Sequence, residues 1–127
     1  MHLDYRLIAK TDCFKTIYGK FPAFGLIDGN NNIIIPFNKE CSGFLFRPKQ
    51  GCILVQRSNK SATKNKFGVY DFNGKEIIPI SIKMKVSFTE PDKHVWKYYD
   101  ELPTKVKENM IEIYKQKKAA FDAKMGR

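Results

Sequence analysis

Phe24-Gly25-Leu26-Ile27-Asp28-Gly29-Asn30-Asn31-Asn32-Ile33-Ile34-Ile35-Pro36 returns 43 residues later as Phe67-Gly68-Val69-Tyr70-Asp71-Phe72-Asn73-Gly74-Lys75-Glu76-Ile77-Ile78-Pro79. An aromatic-glycine pair leads a β-favouring arm to an aspartate. A short polar segment follows, and a second apolar arm ends at proline. Each copy reads as a β-hairpin. A repeated unit that cannot bury its own apolar face must stack on a neighbour, so the repeat speaks to architecture before it speaks to chemistry.

The turns are placed at Asn73-Gly74 and Asn30-Asn31. Asn-Gly suits a two-residue type I′ turn, which needs positive φ at both central residues, and asparagine tolerates that region better than most side chains. This register sets Leu26 opposite Ile35, Val69 opposite Ile78, Phe24 opposite Phe37 and Phe67 opposite Ile80, four pairs expected to form the core. It also sets Gly25 and Gly68 opposite Pro36 and Pro79. A side chain on either glycine would crowd that face, and each proline is expected to mark where the outgoing strand leaves its partner. Asp28 and Asp71 form a matched pair of carboxylates. Aspartate before a turn commonly accepts turn amides, a stronger reading than acid-base chemistry.

Outward from the repeats, 3–9 and 14–18 read as strands joined by a turn at Lys10-Thr11-Asp12, with Gly19-Lys20-Phe21-Pro22 breaking the pattern. Gly43–Arg47 and Cys52–Gln56 read as a hairpin joined by Pro48-Lys49-Gln50-Gly51. The stretch from Arg57 to Lys66 has no apolar period and reads as a long connection. Residues 80–88 alternate at period two and read as an amphipathic strand. Thr89-Glu90-Pro91-Asp92 suits the start of a short helix over 91–101. Leu102-Pro103 interrupts it. Val106, Met110, Ile113, Tyr114, Phe121 and Met125 then recur at near-helical spacing with lysines between them, which predicts a closing basic amphipathic helix.

The order aromatic-Gly-apolar-apolar-Asp-x-Asn-Gly-x-x-Ile-Ile-Pro resembles the WG repeat, a β-hairpin-forming unit of many bacterial proteins. Phe67, Gly68, Asp71, Gly74, Ile77, Ile78 and Pro79 fall on that pattern, as do Phe24, Gly25, Asp28, Ile34, Ile35 and Pro36. Phenylalanine stands for the family's tryptophan in both copies, and Asn31 stands at the turn glycine. The resemblance spans residues 20–88. It implies a hairpin scaffold for protein contacts, without known catalytic residues. The expected class is α+β: antiparallel β-hairpins built from two WG-like repeats (3–88), then a C-terminal helical segment (89–125) packed on the sheet, as one domain over 1–127.

Composition sets the function classes. The 127 residues carry 23 Lys plus Arg against 13 Asp plus Glu, a net charge of +10 that attracts acidic partners. Lysines outnumber arginines by 19 to 4, which suits sequence-independent charge rather than bidentate reading of bases or phosphates. A Lys-, Asn- and Ile-rich composition also follows from an AT-rich genome, such as that of a bacterial virus. Absence of an apolar run near the roughly 20 residues of a membrane helix, and of a secretory start, sets the expectation of a cytoplasmic protein that does not enter the membrane.

Cys13, Cys41 and Cys52 have neither disulfide nor zinc spacing and read as packing residues. His2 and His94 stand apart from any ligand or triad spacing, and no phosphate-cradling glycine loop is present. The expectation is therefore no enzyme, cofactor, metal or small-molecule substrate. The candidate partner-binding residues are Arg57, Lys60, Lys64 and Lys66 in the basic connection, Lys93, Trp96, Lys97 and Tyr98 on the short helix, and Lys115 and Lys118 on the long one. Two partner classes fit them: an acidic protein surface that is modulated or inhibited, or a nucleic acid held by lysine-phosphate contacts and aromatic stacking.

Overall fold

The structure is a computed structural model in which residues 3–16, 19–36, 43–57, 66–83 and 92–126 are described. Seven strands and two α-helices follow one another along it: β1 (Arg6–Thr16), β2 (Gly19–Ile27), β3 (Ile33–Ile35), β4 (Gly43–Arg47), β5 (Cys52–Arg57), β6 (Lys66–Asp71), β7 (Glu76–Lys83), α1 (Asp92–Asp100) and α2 (Thr104–Lys124). A 3-10 turn over Pro48–Gln50 separates β4 from β5. The strands make two antiparallel meanders, β1-β2-β3 and β4-β5-β6-β7, and the helices pack on the second. This is the expected α+β arrangement.

β5 shows why the layers assemble as they do. Cys52, Ile53, Leu54 and Val55 are all fully buried, a continuous apolar run of the kind a strand needs when both of its faces are covered. Ile53 and Val55 join Tyr70 and Phe72 against Leu26, Ile34 and Ile35 of the first sheet and Tyr5 just before it. Cys52 and Leu54 join Phe67 and Val69 against Val95 and Tyr99 of α1 and Met110 of α2. The period-two alternation of a strand thus sorts one residue set to the sheet and the other to the helices.

The two repeat hairpins share one turn geometry. Asn31 N donates to Asp28 O at 3.1 Å and Asp28 N to Asn32 O at 3.0 Å; Gly74 N donates to Asp71 O and Asp71 N to Lys75 O, both at 3.0 Å. Only the last residue of each turn has positive φ, Asn31 at 64° and Gly74 at 83°. The expected type I′ turn is therefore corrected to a three-residue loop, an ordinary turn followed by one left-handed residue and a bulge. Leu26 faces Ile35 and Val69 faces Ile78 as read.

Beyond the second turn's bulge the register slips, so Phe67 faces Ile82 rather than Ile80. Pro79 consequently lies within β7 instead of ending it. Gly68 sits beside this irregularity, where an added Cβ would come within 2.9 Å of Ile80 Cγ1 and 3.0 Å of the Ile78 carbonyl. In the first copy, Gly25 faces Ile8 and Phe24 faces Ala9 on β1. Pro36 follows the end of β3, as expected, while Phe37 lies outside the described residues. Of the four pairs expected as core, Leu26, Ile35, Val69 and Phe67 are buried, whereas Phe24, Ile78 and Ile80 are half-buried.

Two further expectations change. Lys10-Thr11-Asp12 is not a turn: β1 runs through it, with a register shift between Lys10 and Phe14. Pro22 occupies the facing position of β2, where it has no N–H to give the ladder, so the bulge forms where pairing is weakest. Gly19-Lys20 opens β2 rather than breaking the pattern. Of the strand read over 80–88 and the helix start at Thr89-Glu90-Pro91, residues 84–91 lie outside the described set.

The second hairpin's turn docks through Phe72 and Gly74 while Asn73 stays exposed. Phe72, its first loop residue, is fully buried and stacks 4.8 Å from Tyr114 of α2, 6.0 Å from Tyr5 and 6.1 Å from Phe46. The Tyr5 hydroxyl donates to the Phe72 carbonyl at 2.5 Å. Gly74 lies so close to β3 that a Cβ would fall 1.9 Å from the Ile34 carbonyl oxygen. The second repeat thus docks end-on against the first. Gly51, at φ 66°, permits a close approach of the α2 backbone, where a Cβ would fall 2.5 Å from the Met110 carbonyl atoms.

Candidate functional site

Arg57, Lys66 and Lys83 stand in register across three neighbouring strands, Arg57 opposite Lys66 and Lys66 opposite Lys83. The basic connection was read as running from Arg57 to Lys66, but those two residues belong to β5 and β6 and are ladder partners. Lys60 and Lys64 lie between them, outside the described residues. The row gains Lys83, which sequence reasoning did not single out. Its signal was a lysine at even spacing along the amphipathic strand, but its cationic neighbour appears only once the register is known. The first sheet repeats the device, with Lys15 opposite Lys20.

Like charges directly opposed on a sheet are destabilising. Arg57, Lys66 and Lys83 occupy facing backbone positions along one end of β5-β6-β7. Neighbouring strands lie about 4.8 Å apart, so the three in-register backbone positions span roughly 10 Å.

Asp4, Asp28 and Asp71 lie at the turn ends of the hairpins and are engaged within the fold. Asp28 Oδ1 accepts from the amides of Asn30 and Asn32, both at 2.9 Å, and its Oδ2 accepts from Asn32 Nδ2 at 3.1 Å. Burial pushes its pKa up, but those hydrogen bonds and the Lys117 charge outweigh it, and the net shift is downward. Asp71 Oδ1 accepts from Asn73 at 2.8 Å and Lys75 at 2.9 Å, which is the role read for both aspartates. Asp4 pairs with Lys124 at 3.7 Å. Tyr5 is held protonated by burial and then by the charges of Asp28, Asp4 and Asp71.

The helical candidates occupy a different place. Tyr99 packs into the core, donates to the Gln50 carbonyl at 2.9 Å and meets Trp96 edge-on at 5.6 Å. Burial, then Cys52 and Asp100, raises its pKa. Trp96 is half-buried in that contact, while Lys97 and Tyr98 are exposed, Tyr98 at 45%. Of Lys93 only the backbone position in α1 is described. Lys115 is exposed on α2, and Lys118 is tied to Asp122 at 2.8 Å.

Tyr99 of α1 reaches the Gln50 carbonyl and Met110 of α2 lies against Gly51, while Val95 of α1 shares the cluster that holds Phe67, the neighbour of Lys66. The structure pairs Arg57 with Lys66 on neighbouring strands and places Trp96, Lys97 and Tyr98 on one helix.

Among the described residues no group of histidine, cysteine, aspartate and glutamate is arranged to hold a metal ion, and no described helix is long and apolar enough to cross a membrane. Cys52 is a buried packing residue. Comparison with protein-family models, with characterised proteins and with solved structures finds no match.

Proposed function

We propose that this is a non-enzymatic cytoplasmic binding protein whose cationic strand end docks on an acidic surface of another protein and modulates or inhibits it. The observation that carries this reading is the in-register row Arg57, Lys66 and Lys83. A sheet that opposes like charges gives up stability, roughly 0.2–1 kcal/mol per rung, and an anionic partner is what recovers it. The net charge of +10 supplies long-range attraction toward such a partner. The WG-like hairpins serve as the scaffold.

Nucleic acid is the competing partner. Its stacking component loses support because Trp96 and Tyr99 pack against each other, leaving Tyr98 as the exposed ring of that cluster. Lysine-phosphate contact remains, and it carries a steep salt dependence. Affinity capture from cell lysate, with and without nuclease, separates the two. A defined protein retained after nuclease supports the proposal. Retention that disappears with nuclease assigns the row to nucleic acid instead.

A further inference from the structure

We propose that Asn73-Gly74 is a deamidation site that the folded second hairpin holds shut. The reaction begins when the Gly74 backbone nitrogen attacks the Asn73 side-chain carbonyl carbon. A bond forms between them, the Cγ–Nδ2 bond breaks, and ammonia leaves with the proton lost from the amide. Water then opens the resulting imide at either carbonyl, giving aspartate or isoaspartate. Glycine in the attacking position presents no side chain to hinder the approach, and Asn73 is exposed.

The fold blocks this step at the nucleophile. Gly74 N donates to the Asp71 carbonyl at 3.0 Å, and Asn73 N donates to Asp71 Oδ1 at 2.8 Å. The Phe72 carbonyl accepts from Tyr5. Gly74 is also pressed on the Ile34 carbonyl, so its nitrogen cannot swing toward Asn73 without unseating the turn from β3. Reaction therefore requires the hairpin to open. An isoaspartate product adds one carbon to the main chain in a turn that has no space for it against Ile34. A chain that closes on isoaspartate cannot regain the same packing, whereas the aspartate product keeps the main chain; either product permanently marks a chain that has opened. The event also removes one unit from the net charge of +10.

The first repeat is an internal comparison. Asn30 is exposed, and the next nitrogen, of Asn31, donates to Asp28 O at 3.1 Å in the same pattern. There the attacking residue carries a side chain.

The test is incubation of the full chain in mildly alkaline buffer, native and in concentrated guanidinium, with peptide mapping for a gain of one mass unit. In guanidinium Asn73 is expected to react well ahead of Asn30. In the native chain Asn73 is expected to react at least about tenfold more slowly, following the fraction of open hairpin. Equal Asn73 rates in the two conditions overturn the gating. Asn30 keeping pace with Asn73 in guanidinium overturns the assignment to the Asn-Gly pair.

Discussion

Asp28 and Asp71 perform the same task in two hairpins, each holding two turn amides on one carboxylate oxygen. For Asp28 this has a pH signature. Its folded pKa lies below the ordinary value, so its stabilising contribution is present above the unfolded pKa of about 3.9 and is lost as pH falls through the folded value. Asp28→Asn is expected to flatten the acid limb of stability below about pH 4, measured by urea unfolding at a series of pH values. Gly74→Val combines a β-branched residue at φ 83° with a Cβ placed on the Ile34 carbonyl. It is expected to cost about 2–5 kcal/mol in denaturant unfolding; an unchanged midpoint would mean that the turn is misplaced. The aspartates were legible in the sequence because their role is local. Phe72 was not: a phenylalanine in a turn, where the first copy has Gly29, signals burial only once the partner sheet is in place.

Strands and helices divide along the same line. The hairpin β4–β5 and both helices follow from local pattern, and Pro103 separates the helices as read, with Val106 N and Lys107 N donating back to its carbonyl. The bulge in β1 and the passage of β7 through Pro79 depend on which strand lies opposite, which a single segment does not state. Gly51 shows how an element depends on its neighbour. A Cβ there would lie 2.5 Å from the Met110 carbonyl atoms, whereas at Gly43 the nearest atom is 3.8 Å away. Gly51→Ala is expected to displace α2 and cost about 2–4 kcal/mol. Gly43→Ala is expected to change stability by less than about 0.5 kcal/mol. Thermal unfolding of the pair checks both.

Across the whole molecule, Asp4, Asp28 and Asp71 sit at the hairpin-turn ends and are engaged there, while in-register cations occupy the opposite end of the second sheet. The excess charge was legible in composition, and Arg57 and Lys66 were named from the sequence. Their alignment with Lys83 was not visible, because register joins residues that are far apart along the chain. The same alignment ties stability and binding together with opposite signs. Lys66→Glu turns two like-charge rungs into opposite-charge rungs, so it is expected to raise stability by about 0.5–2 kcal/mol while weakening the partner. Melting and nuclease-treated capture, performed side by side on wild type and Lys66→Glu, test the central claim most directly. A variant that melts higher and no longer retains the partner is the predicted result; one that retains it as well as wild type would contradict the assignment of this strand end as the binding surface.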